Sequence, residues 1–130
     1  MMKDFAFISD FDGTLTKKDF YKILSDTYYK EELSPVFESW KNGEMKDREY
    51  LNYVFNNVHR SEVELDDDIL NIAFDPFAKT FIDKVKDAGG DFIVISAGTN
   101  YYIDKVFEKN NIKGVDVYSN KSVFKNNGIH

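Results

Sequence analysis

The fold is decided by residues 5–16, which read FAFISDFDGTLT. The first five are a short apolar run, and this pattern predicts a buried β-strand over residues 5–9. The strand ends at Asp10, and Gly13 follows in a predicted turn. Because side chains alternate along an extended segment, Asp10 and Asp12 should point the same way while Phe11 points into the core. The segment therefore predicts two carboxylates at the tip of a buried strand.

These carboxylates face the place where a ligand would bind, because in parallel α/β sheets the ligand crevice lies beyond the carboxyl ends of the strands. Two close negative charges raise each other's pKa unless a cation lies between them. We expect Asp10 to stay ionised as metal ligand and nucleophile, and Asp12 to carry a proton. A carboxylate nucleophile gives an acyl-phosphate intermediate, a known route of phosphoryl transfer. Gly13 allows a tight turn, and Thr14 offers its backbone N–H and hydroxyl to a phosphate.

A second strand, predicted over residues 91–96, ends in a hydroxyl. Ser96 follows the apolar run FIVI, and Ala97 with Gly98 is predicted to form a turn. Serine at a strand end with backbone amides behind it suits a phosphoryl oxygen, so Ser96, Ala97 and Gly98 are predicted to bind phosphate. A serine in this place is most often a cap or turn residue, and an isolated D-x-D most often caps a loop. The combination of the two strand ends favours a catalytic site.

The order strand, helices, strand, helix, strand predicts an α/β fold with a mostly parallel sheet. Apolar residues recur at helical spacing between the first two strands, as in Phe20, Ile23 and Leu24. We therefore divide the chain into a core, residues 1–16 and 75–130, and an all-helical cap inserted after the first strand, residues 17–74. Further predicted elements are a helix with the stripe Phe77, Phe81 and Val85, a helix over 100–110 and a strand over 115–118.

Composition limits the partners of this 130-residue chain. Hydrophobic residues make up 42% and aromatic residues 16%, which favours a packed core over disorder. The net charge of −6 argues against a nucleic-acid or anionic-membrane surface, so a phosphate must be held by a local site with a metal ion. No apolar stretch approaches the length of a membrane span, and the first residues do not resemble a secretion signal. We expect a soluble cytoplasmic protein.

The segment DFDGTLT resembles the first motif of the haloacid dehalogenase-like (HAD-like) phosphatase superfamily, and FIVISAG resembles the second. The helical stretch between them resembles the cap of the branch that includes phosphoserine phosphatases and methionine-salvage phosphatase relatives. The resemblance implies a Rossmann-like core that hydrolyses a small phosphorylated metabolite. It implies Asp10 as nucleophile, Asp12 as general acid/base and Ser96 as phosphate ligand. It also implies Mg²⁺ held by the Asp10 carboxylate and the Asp12 main-chain carbonyl.

The chain departs from that superfamily after its third strand. The family has a lysine and a further acidic motif downstream, yet no acidic residue follows Tyr118. Lys121 and Lys125 come early in the fold as replacements for the lysine. Removing one stabilising donor costs on the order of 10²–10³ in rate, so we expect little or no turnover from these 130 residues. A non-catalytic HAD-like remnant that binds phosphate or a partner is the alternative.

The sequence of the cap does not identify the substrate. Phosphoserine enzymes resemble this chain at Asp19, an acidic residue placed to hold an amino group. They also carry a cap arginine that binds the substrate carboxylate, where a rough alignment puts an apolar residue near Val54. The only arginines here are Arg48 and Arg60. A receiver domain also uses strand-end aspartates, but Phe11 between the acids and the long helical insertion argue against it.

Two features bear on assembly. Residues 126–128, Asn-Asn-Gly, are a strong hairpin-turn signal followed by only Ile129 and His130. We therefore expect a chain cut within a hairpin or completed by another chain. In the resembling fold the first strand is central, so here it should present an unpaired edge, which proteins rarely leave open. This predicts a homodimer, a swapped assembly or a covering helix at that edge.

Overall fold

The computed structural model describes residues 3–28 and 34–130. Three strands form a parallel sheet in the order β1-β2-β3. They are β1 (Phe5–Ser9), β2 (Gly90–Thr99) and β3 (Asp116–Asn120). The predicted α/β fold with a mostly parallel sheet is confirmed.

In the described residues five helices lie between β1 and β2, and one follows β2. They are α1 (Phe20–Tyr28), α2 (Ser34–Lys41), α3 (Asp47–Asn56), α4 (Glu62–Leu70), α5 (Ala78–Asp87) and α6 (Asn100–Lys109). The predicted cap, residues 17–74, includes residues 29–33, which lie outside the described ranges. Its two ends meet, because the Lys17 N–H donates to the Ala73 carbonyl at 3.0 Å and the Asp75 N–H donates to the Leu15 carbonyl at 2.8 Å. None of the helices in the described ranges has the length and apolar character that crossing a membrane requires.

The sheet is covered on one face. Right-handed crossovers between neighbouring parallel strands place their helices on the same side, here α5 and α6. On that side Phe92 and Val94 are buried, and Phe92 stacks on Phe7 with 5.5 Å between ring centroids. On the other face Ile95 is 53% exposed and Tyr118 is 61% exposed. The described residues thus bury one side of the sheet and leave apolar side chains on the other.

The prediction that β1 is buried is wrong. Phe5 is 44% exposed and Ile8 is 60% exposed. The reason is position: β1 pairs with β2 alone among the described residues, so it forms the edge of the sheet. The predicted unpaired edge is therefore confirmed. Phe11 is fully buried, as predicted, with its ring 5.5 Å from that of Phe107.

Helix α5 buries a face shifted from the predicted one. Phe77 is 77% exposed and Phe81 is 44% exposed, whereas Ala78 and Ile82 are buried beside Val85. Phe77 precedes the helix, so the apolar period begins at Ala78. The prediction took the large aromatic residues as the buried face of the helix. The buried face instead begins at Ala78, whose small side chain did not indicate a core position.

Strand β2 continues past the predicted turn at Ala97 and Gly98. It ends at Thr99, which pairs with Asn120 after a register shift that begins at Ile95. The Asn120 side-chain amide donates to the Ala97 carbonyl at 2.8 Å, so this bond to the neighbouring strand holds the segment extended. Thr99 caps α6, accepting the Tyr101 N–H at 3.3 Å.

The predicted hairpin forms within this chain, from β4 (Phe124–Lys125) and β5 (Gly128–Ile129). Asn126 and Asn127 have φ angles of 51° and 56°, as in the two-residue turns that suit hairpins. Val123 and His130 exchange two backbone hydrogen bonds of 2.9 and 3.0 Å. The short second strand places Ile129, 1% exposed, in the core.

Candidate active site

A cavity of about 100 Å³ lies at the carboxyl ends of β1 and β2. The strands bring to it all the strand-end residues predicted for catalysis and phosphate binding except Gly13 and Thr14. The contributing strand-end residues are Asp10, Asp12, Ser96, Ala97 and Gly98. The cavity is closed by Asp19, which directly precedes α1, and by four helix residues: Tyr21, Leu51, Phe55 and Tyr102. Two carboxylates and a hydroxyl from separate parts of the chain therefore share one cavity.

Both oxygens of the Asp12 carboxylate are held by the fold. Oδ1 accepts the backbone N–H of Phe20 at 2.9 Å, and Oδ2 accepts the hydroxyl of Tyr102 at 2.6 Å. Burial raises the pKa of Asp12 above its ordinary value, these two hydrogen bonds oppose the shift, and the charges of Asp19 and Asp10 add to it. The raised pKa favours a carboxyl that holds a proton, as a general acid must.

Tyr102 is one residue of this site that the sequence pattern did not single out. It lies in the first turn of α6 and is 1% exposed. Burial and the neighbouring Asp12 charge raise the pKa of its hydroxyl, which therefore stays protonated and donates. Gly98 makes room for this bond, since a Cβ at that position would lie 1.9 Å from the Tyr102 oxygen and 2.8 Å from Asp12 Oδ2. A buried tyrosine needs a partner for its hydroxyl, and that was the available signal.

Asp10 is in a different environment. Its side chain lies at an exposed position, and Oδ1 accepts the N–H of Phe11 at 2.7 Å. Oδ2 receives no hydrogen bond from the described residues. The main-chain carbonyl of Asp10 accepts the Ser9 hydroxyl at 2.7 Å. One carboxylate oxygen of Asp10 is thus held by the backbone, and the other is available for a cation or for bond formation.

The oxygen donors at this cavity fit Mg²⁺. Asp10, Asp12 and Asp19 place three carboxylates on its walls, although no group of three or more acidic or histidine side chains in the described residues is arranged to hold a metal ion. Mg²⁺ is usually bound by one or two carboxylates together with waters and substrate phosphate. The Asp10 carboxylate meets that requirement, and the resemblance adds the Asp12 main-chain carbonyl, with water and phosphate as the remaining ligands.

The phosphate-binding predictions divide between the two strand ends. Ser96 is 9% exposed, and its oxygen accepts the Gly98 N–H at 2.9 Å, which leaves its own hydroxyl proton to donate. Gly13 and Thr14 do not line the cavity. Their N–H groups bond within the turn, Gly13 to the Thr16 hydroxyl at 3.1 Å and Thr14 to the Phe11 carbonyl at 3.2 Å. Gly13 has a φ of +73°, so its glycine is required by the turn itself.

Asp19, predicted to contribute to substrate specificity, does line the cavity. It directly precedes α1, and its Oδ1 lies where a Cβ on Gly13 would come within 2.8 Å. From the cap, Tyr21, Leu51 and Phe55 reach the same cavity. These three were assigned only to packing or not singled out, because the sequence does not show which face of a cap helix meets the strand ends.

Comparisons with known proteins identify the fold. Neither protein-family models nor curated protein sequences match this chain. Among solved structures it is similar to a HAD family hydrolase from Salmonella enterica serovar Typhi, with 12% identity, a TM-score of 0.80, and coverage of 98% of this chain and 44% of that one. It is also similar to a phosphoserine phosphatase solved as a phospho-aspartyl intermediate analogue, with 18% identity, a TM-score of 0.70, and coverage of 99% of this chain and 61% of that one. For cytosolic 5′-nucleotidase IIIB bound to cytidine the identity is 19% and the TM-score is 0.61, with coverage of 97% of this chain and 53% of that one. The chain has the HAD-like fold and spans less than two thirds of each of these three chains.

Proposed function

We propose that this chain carries the nucleophile and general acid of a Mg²⁺-dependent phosphatase that hydrolyses a small phosphomonoester through an aspartyl-phosphate. The observation that carries the proposal is the single cavity lined by Asp10, Asp12 and Ser96 at the carboxyl ends of parallel strands. The fold shared with HAD-type hydrolases, including a phosphatase solved as a phospho-aspartyl intermediate analogue, supports it by analogy.

In the first step Asp10 Oδ2 attacks phosphorus, and the bond between phosphorus and the leaving oxygen breaks. Asp12 gives its proton to that oxygen, so the alcohol leaves neutral. In the second step Asp12 takes a proton from a water molecule whose oxygen attacks the phosphorus. The bond between phosphorus and Asp10 Oδ2 breaks, its electron pair returns to the Asp10 carboxylate, and inorganic phosphate leaves, so both carboxyl groups return to their starting forms.

The remaining residues orient the reactants. The Ser96 hydroxyl donates to a phosphoryl oxygen, and Tyr102 holds the Asp12 carboxyl at the cavity wall. Mg²⁺, held by the Asp10 carboxylate and the Asp12 carbonyl, would supply positive charge that offsets repulsion between phosphate and carboxylates. Tyr21, Leu51 and Phe55 of the cap limit access of water from above the strand ends.

A non-catalytic phosphate- or partner-binding protein is the second candidate. It is favoured by one observation: the described acidic residues supply no group of three arranged as a metal site. In that case Asp10 binds no cation strongly and does not attack phosphorus. The experiment described next distinguishes the two candidate functions.

The test is formation of a beryllofluoride adduct, a mimic of phospho-aspartate, followed by fluorine NMR in the presence of Mg²⁺. We expect an adduct in the wild type and in Asp12→Asn, because Asp12 is not the nucleophile, and no adduct in Asp10→Asn. Asp83→Asn is the matched control, since Asp83 is on α5 and pairs with Lys79 away from the cavity. An adduct in Asp10→Asn would refute the assignment of the nucleophile. The lack of any adduct in the wild type would favour the non-catalytic candidate.

A further inference from the structure

A second, larger cavity adjoins the candidate active site. It has a volume of about 530 Å³ and shares four wall residues with the smaller cavity: Leu51, Phe55, Ala97 and Gly98. It lies between α3 and the carboxyl ends of β2 and β3. Its volume is within the range of sites that take metabolite-sized to drug-sized ligands. A phosphoester held at Asp10 and Ser96 would extend its leaving group into this space.

Two cations stand on the walls of the larger cavity. Arg48 is in the first turn of α3, and Lys121 directly follows β3. Neither forms an ion pair with a carboxylate of the described residues. The cavity also includes Asp47, but its carboxylate accepts the indole N–H of Trp40 at 2.8 Å. The carboxylate of Asp47 keeps its charge, so the side chains on the walls carry a net formal charge of +1, in a chain whose net charge is −6.

The positions along α3 explain why the cation is at Arg48. Arg48, Asn52 and Asn56 are spaced four residues apart, so they share one face of the helix, and all three line the cavity. Val54, near the position at which phosphoserine enzymes carry their cap arginine, is fully buried in the core and lines neither cavity. An anion-binding side chain on α3 must therefore come from the Arg48 face.

We propose that the substrate is a phosphomonoester whose leaving group carries a second anionic group, such as a carboxylate, bound by Arg48 and Lys121. This inference rests on the proposed function, because it takes the phosphate to be held at Asp10 and Ser96. Arginine binds a carboxylate through two parallel hydrogen bonds, and lysine adds a point charge. Asn52 and Asn56 supply amides for hydroxyl or carbonyl groups between the two charged ends.

The test uses binding rather than turnover. Calorimetry in Mg²⁺ compares two pairs of non-hydrolysable probes: propylphosphonate with carboxyethylphosphonate, and hexylphosphonate with carboxypentylphosphonate. We expect the carboxylate to tighten binding about 10-fold in at least one pair, since both cations are partly screened by solvent. Arg48→Gln and Lys121→Gln should each remove most of that gain. Their effect on the affinity for the alkylphosphonates should be smaller than their effect on the affinity for the carboxylate-bearing probes.

The chain offers matched controls. Arg60, its other arginine, pairs with Glu64 and lies 4.3 Å from the ring centre of Tyr28, and Lys125 is exposed on β4; neither lines the cavity. Arg60→Gln and Lys125→Gln should keep the gain. Alkylphosphonate binding with no gain from the carboxylate would overturn this inference and leave the proposed function standing, as would a gain that survives both Arg48→Gln and Lys121→Gln. If no phosphonate binds, both proposals fail.

Discussion

Replacing Tyr102 with Phe removes one hydroxyl from the candidate site and leaves the ring in place. That hydroxyl donates to Asp12 Oδ2 over 2.6 Å, and the side chain is 1% exposed. A hydrogen bond to a charged group contributes about 1.5–3 kcal/mol. We therefore expect Tyr102→Phe to lower the free energy of unfolding by about 1.5–3 kcal/mol at a pH at which Asp12 is ionised.

The size of this loss depends on pH, because the hydroxyl stabilises the ionised form of Asp12. Burial raises the pKa of Asp12, and the bond from Tyr102 opposes that rise. The contribution of the hydroxyl is complete above the Asp12 pKa of the folded protein. It falls toward the ~0.5–1.5 kcal/mol of a neutral hydrogen bond as the pH drops through that pKa. Asp12 itself acts with the opposite sign: a carboxyl whose pKa is raised by folding favours the folded state at low pH, and this is lost as the pH rises through the folded pKa.

The assay is urea unfolding over a pH series from about 4 to about 9, followed by circular dichroism and by the fluorescence of Trp40, the single tryptophan. Tyr101→Phe is the matched control, because the neighbouring hydroxyl is buried without a hydrogen-bond partner among the described residues. Its removal should leave the free energy of unfolding unchanged or raise it. The reasoning is refuted if both variants lose the same free energy, or if the loss in Tyr102→Phe does not decrease anywhere in the series as the pH falls.

Three further predictions concern the cation, the packing and the edge of the sheet. Mg²⁺ should raise the melting temperature of the wild type in a concentration-dependent way, because a cation offsets repulsion among the carboxylates; in Asp10→Asn the shift should be lost, and an equal shift in both proteins would argue against a cation at Asp10. Gly98→Ala should destabilise the fold by about 1–3 kcal/mol, because the new methyl group displaces the Tyr102 hydroxyl; a melting temperature equal to that of the wild type would show that the contact is not tight. We propose that the exposed edge at β1 pairs with a second copy of the chain, so light scattering should give a dimer that Ile8→Lys weakens; a wild-type monomer at about 100 µM would contradict this prediction.

The strand-end cluster was predictable because it depends on local rules. An apolar run followed by D-x-D-G fixes a strand, its end and the side of the backbone on which the carboxylates lie, and Ser96 ends a second strand in the same way. Parallel strands bring their carboxyl ends to one edge of the sheet without further information. The cap of α6 follows a similar short-range rule, because threonine is among the residues preferred at a helix N-cap and Thr99 is at that position.

The other features of the fold and the site depend on contacts between residues far apart in the sequence, which local sequence patterns do not show. The burial of β1 was mispredicted because burial depends on what covers a strand, and here the described residues cover one face only. Tyr102 reaches Asp12 across 90 positions of sequence. Arg48 reaches the strand ends only through the orientation of α3. In each case the sequence shows the helical or strand periodicity, but it does not show which neighbouring element the apolar or polar face packs against.

The two aspartates at the strand tip differ by environment and not by residue type. Asp12 is enclosed by a backbone N–H and a tyrosine hydroxyl, and burial raises its pKa. Asp10 stands at an exposed position with one oxygen free of hydrogen bonds from the described residues. Acid and base roles are commonly divided between paired carboxyl groups by such differences. Because the bond from Tyr102 opposes the rise in the pKa of Asp12, it keeps the proton from being held too tightly to be given up. The cap and α6 therefore act on the proposed chemistry through Asp12, while Asp10 stays available to the ligand.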